Sequence, residues 1–152
     1  MFARISMIFL TMIMAFNVAM ARQNNAPIYN PGPVALQRMD GQPSTIEQVR
    51  KAILTGTQPY GWKVLSDEPG VIKLEYRRPK SYVGAVVRVT YDAQSYQVHY
   101  VSSEGLFHEG EGANATIHPT YNSWMKYLTM RIMIPGELVP ATAVSSSAVA
   151  GQ

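Results

Sequence analysis

Between residues 62 and 100 the chain changes side at almost every residue. Trp62 and Val64 flank Lys63. Ile72, Leu74 and Tyr76 alternate with Lys73, Glu75 and Arg77. Val83, Ala85, Val87, Val89 and Tyr91 form one row of the next segment, with Arg88 and Thr90 in the other, and Tyr96, Val98 and Tyr100 alternate with Gln97 and His99. Successive side chains of an extended strand point to opposite faces, so this pattern demands strands with one apolar and one polar face. A parallel sheet between two helix layers would need apolar residues on both faces, so the pattern predicts an antiparallel sheet covered on one side only. The connections agree: Glu68-Pro69-Gly70 suits a type II turn, Pro79 ends the second segment, and Asp92 to Ser95 reads as a hairpin loop.

The cover must come from the flanks. Ser44 and Glu47 have the spacing of a capping box, which starts a helix whose Ile46, Val49, Ala52 and Ile53 share one face and whose expected stop is Gly56. Pro119 suits the first position of a second helix, with His118 at or near its cap. Tyr121, Trp124, Leu128 and Ile132 recur there every three or four residues, with Met125 beside them, and Pro135-Gly136 is the expected end. The expected fold is α+β, a two-layer α-β-β-β-β-α arrangement with both helices on one face of a four-stranded antiparallel meander. Trp62, Tyr96, Tyr121 and Trp124 are then structural, as are the core tyrosines Tyr76, Tyr91 and Tyr100, each ring buried with its hydroxyl at the rim. Asn122 and His118 cap the helix or tie the preceding loop, while Tyr82 and Tyr127 fall off the apolar stripes and are expected at the surface.

Residues 1–21 read as a signal peptide. Arg4 is their only charge, the apolar run is shorter than a bilayer span, and Ala19-Met20-Ala21 offers a small-x-small cleavage site. Residues 22–43, rich in proline and glycine, are expected to be an extended arm outside the sheet, pinned at most by Ile28 and Tyr29. The folded domain is expected at 44–134 and a disordered Ala-, Val- and Ser-rich tail at 135–152. Between them, residues 102–117 form a long glycine-rich acidic loop, read as mobile or functional, in which Leu106 and Phe107 tuck under the domain edge.

Composition narrows the chemistry. The absence of cysteine excludes disulfides, thiol nucleophiles, zinc-thiolate sites and a lipid-bearing N-terminal cysteine. The formal charge of +3 falls to +2 once Arg4 leaves with the leader, and no basic stripe of the kind nucleic acids require is present, so no nucleic-acid partner is expected. No serine lies in a Gly-x-Ser-x-Gly turn, and the acids lie on polar faces and in loops rather than as a buried pair. His99, His108 and His118, with Glu109 and Glu111, are the candidates for a metal-dependent hydrolase, although they lack the short spacing of metal motifs. The polar sheet face is the more informative surface. Lys63, Lys73, Arg77, Arg88 and His99 share it, with Glu75 as its main acid, and such a face suits phosphate or carboxylate groups.

Ile28-Tyr29, "TIEQVRKAI", Gly61-Trp62, Gly70, "VTYDAQSYQVHYVSS" and "IHPTYNSWMKYL" together resemble a group of small bacterial periplasmic proteins and lipoproteins with an Ile-His-x-x-Tyr-Asn-x-Trp motif. The resemblance runs from about Ile28 to Ile132. It implies the cell envelope and carries over no catalytic residue. Lipid-anchored members have a cysteine after the leader, which this chain lacks, so it does not imply the anchor. The expectation is an exported, non-enzymatic envelope protein, periplasmic or secreted, without a cofactor. It would bind an envelope protein or an anionic envelope polymer through the outer sheet face or the acidic loop. The alternatives are the histidine-based hydrolase and a carbohydrate- or lipid-binding module with a pocket between helices and sheet.

Overall fold

Each alternating segment becomes a strand in a computed structural model of the chain, which describes residues 24–133 and 138–141. The expected signal peptide, the helix stop at Pro135-Gly136 and residues 142–152 of the expected tail lie outside the described residues. The fold is α+β, with strands β1 (Ala26–Pro27) and β2 (Val34–Arg38), helix α1 (Ile46–Thr57), strands β3 (Trp62–Glu68), β4 (Val71–Arg77), β5 (Gly84–Tyr91), β6 (Ser95–Glu104) and β7 (Thr116–Ile117), helix α2 (Pro119–Met133) and strand β8 (Leu138–Pro140).

Strands β3 to β6 form the expected antiparallel meander. The expectation of four strands needs correction, because the sheet has six, in the order β3-β4-β5-β6-β2-β8. β2 comes from the proline-rich stretch expected to stay outside the sheet, and β8 from the stretch expected to be disordered. The prolines of 22–43 lie outside β2, leaving "VALQR" with every amide donor available. Val34 and Ala35 pair with Tyr96 and Ser95, and Leu36 to Arg38 pair with Pro140 to Leu138. Leu36 and Leu138 are each buried in the core, so these short strands lengthen the sheet and add to its apolar face.

That core is continuous. Val49, Ala52 and Ile53 of α1 and Tyr121, Met125, Leu128 and Ile132 of α2 pack with Ile72, Leu74, Val87, Val89 and Val98 of the sheet. Trp124, expected on the buried stripe of α2, is only partly buried, and Met125 takes the central place. Leu65 and Val101 are the extra residues at two register shifts, which explains why two aliphatic side chains within strands remain exposed.

The helix starts and stops differ from the expectation in informative ways. α1 is capped by Thr45 and Gln48, one residue later than Ser44 and Glu47: the Gln48 amide donates to Thr45 Oγ1 (3.2 Å) and the Thr45 amide to Gln48 Oε1 (2.9 Å). Both pairs have the required spacing, but buried Ser44 instead donates its hydroxyl to the carbonyl of Ala93, tying the helix start to the β5–β6 hairpin. Gly56 does not stop α1. It lies within the helix, and a Cβ there would come within 2.3 Å of the Arg131 carbonyl, so glycine is what lets α1 and α2 approach. The chain leaves α1 through a short 3-10 turn at Gln58–Tyr60 and turns at Gly61, whose φ of +83° favours glycine.

Residues 105–118 are braced from both sides. Leu106 is buried, whereas Phe107, expected beside it, is exposed at a φ of +51°. β1 pairs with β7 in a separate two-stranded ribbon, and the Ile28 amide donates to the Ala115 carbonyl. Asn122 has a different task from the expected tie to its preceding loop: its Oδ1 accepts from the Tyr29 amide (2.8 Å) and its Nδ2 donates to the Pro27 carbonyl (2.9 Å). One side chain thus clamps the N-terminal arm to α2. His118 works at the helix start, where its Nδ1 accepts from the Thr120 amide and its own amide donates to the Leu106 carbonyl.

Candidate functional site

The hairpins fix a register that sets Lys73 opposite Arg88 and Arg88 opposite His99. Their chain neighbours Ile72, Leu74, Val87, Val89 and Val98 point into the core, so the three basic side chains form one row across β4, β5 and β6 on the face away from the helices. The adjacent row holds Lys63 opposite Glu75. Arg77, at the end of β4, donates to Glu75 (2.8 Å) and Glu104 (2.8 Å), and these two carboxylates raise its already high pKa, Glu104 foremost. The five expected face residues therefore share one surface but not one state. Arg77 is neutralised together with the face's main acid, while Lys63, Lys73 and Arg88 form no ion pair among the described residues.

Like charges directly opposite on neighbouring strands repel, so an unrelieved basic row opposes folding. His99 lessens the conflict. Its Nε2 lies 2.9 Å from Thr90 Oγ1, and burial, then the charge of Arg88, lowers its pKa. An anion laid along the row would offset the remaining repulsion between Lys73 and Arg88.

The three histidines do not come together. His99 is on the outer face. Tyr100, the next residue, points inward and stacks on His108 with ring centroids 4.3 Å apart, and His118 caps α2. Among the described residues no group of three or more His, Asp or Glu is placed to hold a metal ion. In the acidic loop, Glu109 is tied by paired backbone hydrogen bonds to Thr116.

A second feature is an open cavity of about 160 Å³ at the end of the helix layer, lined by Gly56, Tyr60, Trp62, Tyr76, Trp124, Tyr127, Leu128 and Arg131. Tyr76 joins the two indoles, with its ring centroid 5.4 Å from that of Trp62 and 4.8 Å, edge-on, from that of Trp124. Also in the lining, the Arg131 guanidinium lies over the Tyr60 ring, 4.0 Å from its centroid, and donates to the Tyr60 hydroxyl (2.8 Å). Trp62 and Trp124, expected to be structural, thus also form a cavity wall. Tyr96 and Tyr121 are structural throughout: each is buried, and burial raises both phenol pKa values. Tyr82 and Tyr127 are exposed. Sequence reading did not assemble the cavity, although Trp124, Tyr127 and Arg131 recur at helical spacing as a second stripe beside the core stripe of α2.

Comparison of the chain with protein-family models, curated proteins and solved structures finds no match.

Proposed function

We propose that this protein is an exported, non-enzymatic binding protein of the bacterial cell envelope, whose open sheet face engages an anionic envelope polymer. The observation that carries this reading is the Lys73–Arg88–His99 row, three cross-strand basic groups with no carboxylate partner among the described residues. Such a row is electrostatically unfavourable alone and complementary to a chain of phosphates or carboxylates. The leader-like residues 1–21 and the resemblance to periplasmic proteins support export. Among the described residues no helix is long and apolar enough to cross a membrane. The test is co-sedimentation of the protein with isolated cell envelopes. We expect wild-type protein to sediment and to be released by salt, and the Lys73→Gln/Arg88→Gln variant to stay in the supernatant. Equal sedimentation of the two would refute the assignment.

A further inference from the structure

We infer that the aromatic cavity between α1, α2 and the β3–β4 edge binds the six-membered ring of an acidic sugar, with its carboxylate against Arg131. This site is separate from the basic sheet face and rests on independent observations.

Size comes first. A cavity of roughly 150 Å³ accommodates one benzene ring, and this cavity, at about 160 Å³ and open at one side, takes one ring of a longer chain. Shape and polarity then restrict the ring. Trp62, Tyr76 and Trp124 form one contiguous aromatic cluster and Tyr60 adds a fourth ring to the lining, which suits the apolar C–H faces of a pyranose. Half of the polar side chains are donors only. Arg131 and the two indole N–H groups can only donate, and among the described residues neither indole nor the hydroxyls of Tyr76 and Tyr127 have a hydrogen-bond partner in the protein. Among the described residues no Asp or Glu lines the cavity to repel an anion. A ring bearing a carboxylate sets a charged acceptor against these donors, whereas a neutral sugar offers only hydroxyl oxygens.

Arg131 also decides against a cationic occupant, the usual guest of an aromatic cage, because it puts a fixed positive charge in the wall. It forms no ion pair among the described residues, and its contact with Tyr60 holds the guanidinium in place without neutralising it. A guanidinium pre-oriented in this way meets a carboxylate through two parallel N–H donors.

The two tryptophans of the chain both line the cavity, so intrinsic indole fluorescence reports on this site. Titrating the full protein with digalacturonate should give a saturable change in indole emission. Galactose disaccharides should bind at least tenfold more weakly, and so should digalacturonate to the Arg131→Gln variant. Should that variant fail to fold, Tyr127→Ala removes a mostly exposed ring from the cavity rim and should weaken binding in the same assay. The Lys73→Gln/Arg88→Gln variant should titrate like wild type, which keeps failure of the sheet-face reading distinct from failure of this one. No emission change with digalacturonate, equal affinity for the neutral sugar, or tighter binding of N-acetylphenylalanine would overturn the assignment.

Discussion

Two residues show how far a side chain's meaning depends on what faces it. Gly56 reads in sequence as a helix stop, yet it lies inside α1 against the backbone of α2. Replacing a helical glycine by alanine ordinarily gains up to about 1 kcal/mol. Here the added methyl meets the Arg131 carbonyl, and the two helices must separate. We expect Gly56→Ala to destabilise the protein by about 1–3 kcal/mol in urea titration, opposite in sign to the ordinary effect. His99 is the second case. Burial and Arg88 hold its imidazole below the usual value near 6.5, so the folded chain binds that proton less readily than the unfolded chain. Its contribution to stability is therefore lost as the pH falls through the unfolded value toward the lower folded one. A polyanion on the row favours the protonated ring, so its affinity should rise from about pH 7 to pH 5. Calorimetry on His99→Gln should show the pH dependence of binding flattened.

At the scale of elements, strands β3 to β6 and both helices were legible because each carries its own period, and every expected inward residue of β4 and β5 up to Tyr91 is buried or packed against the core. The strands that were missed are short and lie beside prolines or in a stretch of small residues. β2 has a single fully buried side chain, Leu36, and β8 likewise Leu138. One apolar residue makes no period, and such a strand exists only because a neighbour offers it an edge, β6 to β2 and β2 to β8. The two therefore stand or fall together through tertiary pairing. Leu36→Ala should lower stability by about 2–4 kcal/mol, measured by denaturant unfolding. An arm lying outside the fold would show no change. The candidate site divides in the same way. The basic row was legible because outward residues of paired strands follow from alternation, whereas the aromatic cavity joins residues from Gly56 to Arg131 that only the α1–α2 packing brings together.

For the whole molecule, the layout separates its tasks. Among the described residues, helices and arm seal one side of the sheet and leave the other open, with Glu75 and Glu104 both held by Arg77. The open side is the proposed site of recognition of an anionic polymer. The most direct test is the affinity of the purified protein for a long polyphosphate chain, measured against salt for wild type and for Lys73→Gln/Arg88→Gln. Wild-type binding should weaken steadily as salt rises, and the variant, equally folded by circular dichroism, should bind at least tenfold more weakly at low salt. Equal affinities with equal salt dependence would contradict it.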